Sequence, residues 1–474
     1  MSKSRYCQVR LQKGKFWKLL GGICLFAAVA YWGYENVNDF HPQSLVENSV
    51  LKDRNFETAV KEVISPKYKL KAYLFEEKTN PIVSISFLFN NSGTAYDGNG
   101  ERGIANMVAS LLTDGAGNLD RLQLKEELDS RAISIGFSAG RDDLQGQLLT
   151  TKEQSGRAFE ILADILSKPR FDRADINQVK AELLMLLKQQ SERPEKILAL
   201  EADKALFGSH PYGRNSLGTA EDIRAITRKQ LQQYTASHLV RNNLIIGIAG
   251  DISEDEAGNM LDSVFGVLPE KANTADVLVA EVDFVSGDKN IEMPLPQSIA
   301  KLAAPGITRQ DKDFYPLYVA NYILGGAGLT SRLSLAARED EALTYGVYTY
   351  MSTAEKAPML LGGFSATPEN FSRVKEIVET QWRKMAEEGV TQEEFDNAKD
   401  YLLASYNLRF ASVSDIAEIL TAMQKEKLGI DFLLKRNEYI RNIKLHEVNN
   451  AARKYFDNKT LRFITIGNKG AGKE

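Results

Sequence analysis

Apolar positions along residues 55–470 switch between two periods. "IVSISFLF" (82–89) alternates as a strand does, and "NLIIGIAG" (243–250) reads as an apolar strand. "AISIGFSA" (132–139) and "DLQGQLLT" (143–150) are further strand patterns. Helical periods run through 103–113, 121–131, 152–167 and 172–206, the last interrupted near Pro194. Residues 40–55 are polar and read as a connecting segment.

The second half repeats this plan. "FDRADINQVKAELL" (171–184) aligns with "VTQEEFDNAKDYLL" (390–403) at an offset of 219. "ITRKQLQQYTASHLVRNNLIIGIAGD" (226–251) aligns with "IKLHEVNNAARKYFDNKTLRFITIGN" (443–468) at 217, without a gap. Ile226 falls on Ile443, Leu231 on Val448 and Leu244 on Leu461. Two alignments in order with nearly equal offsets point to an internal duplication. The expectation is two homologous αβ domains, 50–267 and 291–474, joined by the polar stretch 268–290. Strands and helices do not alternate strictly, so the class expected is α+β rather than a doubly wound sheet.

Charge changes the picture at the N-terminus. The first 34 residues hold Lys3, Arg5, Arg10, Lys13, Lys15 and Lys18 with no acid, so a net charge of −4 leaves about −10 on the rest. That balance does not suit nucleic acid. The uncharged run "LLGGICLFAAVAYWGY" (19–34) follows the basic region. Residues 1–34 therefore read as a signal peptide, with "AVA" (28–30) as its cleavage site, or as a membrane anchor with Tyr31, Trp32 and Tyr34 at the interface. Both readings export residues 35–474, to a bacterial periplasm, soluble or tied to the inner membrane. The two cysteines, Cys7 and Cys24, lie in this segment, so the body can form no disulfide or thiolate metal site.

Candidate chemistry begins with what is missing. The four histidines are His41, His210, His238 and His446, and the closest pair is 28 apart. No helix can therefore present two imidazoles one turn apart, and the helical zinc-hydrolase arrangement is absent. His210, in the turn-like "FGSHPYGR", and His238 read as structural. There is no phosphate-binding loop ending in Gly-Lys-Ser/Thr and no G-x-S-x-G elbow. "GGAG" (325–328) reads as a helix end and turn.

Three segments carry a resemblance. They are strand 82–89 with "SGTAYDGNGERGIANMVASLL" (92–112), "ALFGSHPYGRNSLGTAEDIRAIT" (205–227), and "LTSRLSLAAREDEALTYGVYTY" (329–350). With the duplication, residues 55–470 resemble the pitrilysin/insulinase family of zinc peptidases in its short two-domain form. The resemblance implies that the two domains form half of a clamshell chamber. Active members carry His-x-x-Glu-His on the helix after the glycine loop, two zinc ligands and a general base. Here those positions are Asn106, Ala109 and Ser110, and the third ligand's position, a glutamate in active members, falls near Leu186. Leu187 flanks it, and Glu182 stands one helical turn early. The metal site is expected to be lost.

The second half keeps what active members need from their C-terminal domain, an arginine and a tyrosine seven residues apart. They match Arg338 and Tyr345 in "AAREDEALTYGV". By themselves these two read as a surface helix residue and the start of a strand. The resemblance implies a non-catalytic subunit that binds no zinc itself. It would supply Arg338 and Tyr345 in trans to a zinc-bearing homologue, in a heterodimer that hydrolyses peptides or unfolded chains. Two alternatives stand beside it: a peptide-binding or scaffolding module of the cell envelope without a peptidase partner, and independent activity through a rebuilt metal site.

Overall fold

The structure, a computed structural model, describes residues 60–271 and 276–468. The signal-or-anchor reading of residues 1–34 lies outside them. The described residues make one compact unit of two halves, each built on its own sheet.

In the first half the strands are β1 (Lys61–Ile64), β2 (Lys71–Glu76), β3 (Ile82–Phe89), β4 (Ser134–Ala139), β5 (Leu144–Thr151) and β6 (Leu244–Gly250). They stand in the order β1-β2-β6-β3-β5-β4, mostly antiparallel with β2 parallel to β6. The helices are α1 (Ile104–Leu111), α2 (Arg121–Ser130), α3 (Ser155–Ser167), α4 (Arg173–Glu192), α5 (Pro194–Phe207), α6 (Ala220–Ala225), α7 (Arg228–His238) and α8 (Glu254–Val264). Pro194 is the first residue of α5, where its missing N–H costs nothing, so the long helical pattern breaks there into two helices.

The second half repeats the topology. β7 (Lys289–Glu292), β8 (Ser298–Pro305), β9 (Thr344–Ser352), β10 (Met359–Ala366) and β11 (Arg462–Gly467) stand in the order β9-β10-β8-β11-β7. Read from the other end, this is β2-β6-β3-β5-β4 again, including the parallel pair β7–β11. Its helices are α9 (Phe314–Asn321), α10 (Pro368–Glu387), α11 (Gln392–Ala404), α12 (Val413–Lys425), α13 (Phe432–Asn442) and α14 (Leu445–Tyr455). Arg173 and Gln392 start α4 and α11, and Pro194 and Val413 start α5 and α12, both at the offset of 219 read from the sequence. The α+β class and the duplication are therefore present in three dimensions.

The halves exchange a helix. From the first half, α5 packs Leu198, Ala202, Leu206 and Phe207 against Ala303, Ile464 and Ile466 of the second sheet. From the second, α12 packs Ile416, Ala417, Leu420 and Met423 against Phe75 and Ala249 of the first. A fully buried Leu or Met stabilises by about 1.5–3 kcal/mol, so several on each helix make a firm link. The approach of α12 is close: a Cβ at Gly247 of β6 would lie 2.2 Å from the Ala417 carbonyl oxygen, so only glycine fits there. With α12 on one face and the core on the other, residues 83–89 of β3 are all buried.

Among the described residues of the stretch 268–290 there is no helix, and β7 begins only at Lys289. It is nonetheless held. Val277, Ala280, Val282 and Phe284 pack beside α5, and Ala280 N–H donates to Lys356 O at 2.8 Å. The apolar residues interspersed among its charges account for this.

Candidate functional site

Helix α1 forms because Ile104, Met107, Val108 and Leu111 share a buried face, and the helix packs on β4, α4 and α7. Its N-cap residue is Gly103, at φ +93°, which has no side chain to cap the helix. A Cβ there would also meet the Leu217 carbonyl oxygen at 2.5 Å. Asp97 supplies the cap from six residues upstream. Its Oδ2 accepts from Gly103 N–H at 2.7 Å and its Oδ1 from Ala105 N–H at 3.2 Å. Burial pushes the Asp97 carboxyl up to about 7, against the pull of those two donors. Asp97 was legible in "YDGNGERG" only as an acid in a glycine loop, and its role escaped the sequence reading.

The residues that the resemblance aligns with the zinc motif make other contacts. Asn106 is half-buried, and its Nδ2 donates to the Ser216 carbonyl at 2.7 Å. Ala109 is buried and Ser110 exposed. Helix α1 packs on α4, which carries Leu186 on an exposed face and Leu187 partly against the core. Glu182 is exposed and accepts from Gln178 Nε2 at 2.9 Å on its own helix. An amide with its NH₂ committed, a methyl group, a lone hydroxyl and a leucine do not make a zinc site. Among the described residues no group of three or more His, Cys, Asp or Glu could hold a metal ion. The zinc expected of an active family member therefore does not fit this chain's residues.

Arg338 and Tyr345 lie in the second half. Leu335–Glu339 is a π-helical turn, and Tyr345 is the second residue of β9, an edge strand. The backbone between them is fixed: Ala342 N–H donates to Arg338 O at 3.1 Å and Leu343 N–H to Ala337 O at 2.9 Å. Thr344 Oγ1 donates to Ser365 O at 2.6 Å, and the register of β9 shifts between Thr344 and Val347. The side chains are uncommitted. Tyr345 is 83% exposed, and its hydroxyl has no partner among the described residues. Arg338 is exposed, and its only ion pair among the described residues is with its neighbour Glu339, at 3.5 Å. No hydrogen bond or ion pair links this pair to the positions on α1 and α4.

His210 and His238 are structural. His210 Nδ1 accepts from Tyr212 N–H at 3.1 Å while its Nε2 faces Leu278 O at 2.8 Å. His238 stacks on Tyr234 with ring centroids 4.0 Å apart, and burial lowers its pKa.

Two family models match: "Insulinase (Peptidase family M16)" over residues 73–220 and "Peptidase M16 inactive domain" over 225–402. The chain is 28% identical over 401 residues to the "non-peptidase homolog YmxG" of Helicobacter pylori, covering 82% of this chain and 90% of that protein. It is 24% identical over 314 residues to the "uncharacterized zinc protease YmxG" of Bacillus subtilis, covering 66% and 75%. Among solved structures, a peptidase M16 inactive domain from Pseudomonas fluorescens matches with TM-score 0.81 and 25% identity, covering 87% of this chain and 99% of that one. The periplasmic protease PqqL from Escherichia coli shares the fold at TM-score 0.72 and 13% identity; the match covers 87% of this chain and 46% of PqqL.

Proposed function

Because the chain belongs to the M16 peptidase (insulinase) family, we propose that it is the non-catalytic, peptide-binding subunit of an exported heteromeric zinc peptidase. One observation carries this reading. Arg338 and Tyr345 stand exposed and uncommitted on an ordered backbone, while the zinc-motif positions hold Asn106, Ala109, Ser110 and Leu186, which cannot serve a metal. A zinc-bearing M16 homologue would supply the metal and the general base. Arg338 and Tyr345 would reach the substrate backbone and the oxyanion that develops at its carbonyl, where a preorganised donor acts regardless of which chain provides it. The substrate would be a peptide or unfolded segment, extended and added to a sheet edge. β4 and β9 are edge strands of the two sheets. The periplasm fits the basic, then apolar N-terminus, and the fold is shared with a periplasmic protease.

The test is purification of the chain from its native envelope, with zinc measured on every M16 chain that accompanies it. Peptide cleavage is then assayed for each chain alone and for the mixture. Cleavage by the mixture alone, with zinc on the other chain, supports the proposal. Cleavage by this chain alone with bound zinc overturns it.

The name of the Helicobacter relative, a non-peptidase homologue, favours a second reading: a peptide-binding or scaffolding module without a peptidase partner. Peptide binding by the chain with no accompanying zinc-bearing homologue supports that reading over the first.

A further inference from the structure

The duplication provides an internal control. On the face of the first sheet that α12 covers, one row of paired positions reads Gly136, Gln147, Ser86, Gly247 across β4, β5, β3 and β6. The matching row under α5 in the second sheet reads Tyr348, Gly363, Lys301, Ile464 across β9, β10, β8 and β11. The architecture thus accepts a serine where the second half has a lysine, and a glycine where it has a tyrosine. The fold itself has no need of a cation at this place.

Lys301 is half-buried, and its Nζ has neither a hydrogen-bond acceptor nor an ion-pair partner among the described residues. The charges acting on it are Asp203 and Lys196 of α5 and Arg141 of the β4–β5 turn. Asp203 is already engaged, with Arg141 Nη2 at 2.8 Å from its Oδ2. Arg141 is in turn held over the Tyr212 ring, 4.8 Å from its centroid. Two cations therefore face one carboxylate, and the exposed Lys196 adds a third. Burial lowers the Lys301 pKa, as happens to an ammonium short of an anion. Gly363 offers no side chain beside Lys301. A Cβ there would lie 3.4 Å from the Tyr348 hydroxyl, so the phenol hangs over this gap. The Tyr348 and Tyr350 rings stack at 6.3 Å, both are about half exposed, and neither hydroxyl has a partner among the described residues.

We infer that Lys301, flanked by Tyr348 and Tyr350, is a carboxylate-binding subsite for an extended peptide. An ammonium and two phenolic O–H groups are the donors a carboxylate takes, and an anion there balances the excess positive charge. The subsite rests on the peptide-binding reading above. Tyr348 is three residues beyond Tyr345 on β9, about 10 Å of extended strand, so one peptide along this edge meets both. The carboxylate is either an Asp or Glu side chain or the peptide's own C-terminus.

The full chain is titrated by fluorescence anisotropy with a labelled octapeptide bearing a central Glu and with its Gln counterpart, each with a free and an amidated C-terminus. The carboxylate-bearing peptides are expected to bind about tenfold tighter than the amidated Gln peptide. The peptide that keeps the preference identifies the source of the carboxylate. Lys301→Met abolishes the preference and Lys301→Arg retains it, with circular dichroism confirming that both variants fold. Equal binding of all four peptides, or a preference that survives Lys301→Met, overturns the subsite and leaves the peptide-binding reading standing. No binding of any of the four overturns both.

Discussion

Asn106 Nδ2 donates to the carbonyl oxygen of Ser216 across 2.7 Å. At a position that the family resemblance aligns with a zinc-binding imidazole, this chain ties α1 to the loop before α6. The neighbouring Leu217 carbonyl closes on Gly103 at the start of the same helix. Asn106→Ala removes a hydrogen bond that is only half-buried, so it should destabilise by about 1 kcal/mol. Urea unfolding reads this as a lower midpoint at unchanged slope. Peptide cleavage by the assembled complex should be unaffected, and a loss of cleavage with intact assembly would place Asn106 in contact with substrate.

Much of this was legible in the sequence, for identifiable reasons. Strand β3 matched its pattern to the residue, because its serines fall at alternate positions, Ser84 and Ser86, among apolar residues, as a strand's period of two requires. The break at Pro194 and the 219-residue offset were legible because proline geometry and duplication leave direct marks. The exchange of α5 and α12 was not, since a helical period says which face is buried and nothing about which sheet buries it. Asp97 was missed for a related reason: its cap is six residues from the helix it serves, outside the local signatures that mark helix starts. The lack of two histidines one helical turn apart is plain in the sequence, whereas the bond from Asn106 to Ser216 depends on a fold that brings positions 110 apart together.

Asp97 gives the chain a specific pH dependence. Its carboxyl is raised to about 7 by burial, above its ordinary value of 3.8. A raised native pKa means that the folded state prefers the protonated form. The contribution is fully present below about pH 4 and is lost as pH rises through about 7, with a span on the order of 4 kcal/mol. Glu101 and Arg214, the other charges acting on it, oppose one another. Asp97→Asn cannot titrate, so the difference in unfolding free energy between wild type and variant should change steadily between pH 4 and 7. A flat difference over that range would mean that Asp97 ionises normally in the fold.

Asp143 and Lys425 pair across the two halves, joining the β4–β5 turn to the end of α12. The Asp143 side chain is 3% exposed and burial raises its pKa, so its charge depends on the lysine. Lys425→Met should cost about 3–5 kcal/mol, because it leaves a buried carboxylate without its partner. The double variant Asp143→Asn/Lys425→Met should recover much of that loss. A double-mutant cycle measured by urea unfolding checks the coupling, and strictly additive losses would remove it.

The strongest demand on the proposed function falls on Arg338. Among the described residues its guanidinium forms only one long ion pair, with the residue next to it in sequence, so removing it should leave folding unchanged. Exposed positions of this kind shift stability by about 0.5 kcal/mol or less. Its effect on catalysis in the complex is a separate quantity, because a preorganised donor lost from an oxyanion site lowers kcat by about 10²–10³. Arg338→Ala should therefore keep its unfolding midpoint and its binding to the zinc-bearing chain while the mixture loses kcat by that factor. Tyr345→Phe keeps the ring and removes only the hydroxyl, which has no partner among the described residues, so a loss of kcat in that variant points to substrate or transition state. Stopped-flow peptide cleavage with purified subunits measures both. If both variants assemble and cleave like the wild type, the pair contributes nothing in trans, and the chain's role is to bind peptide rather than to assist its hydrolysis.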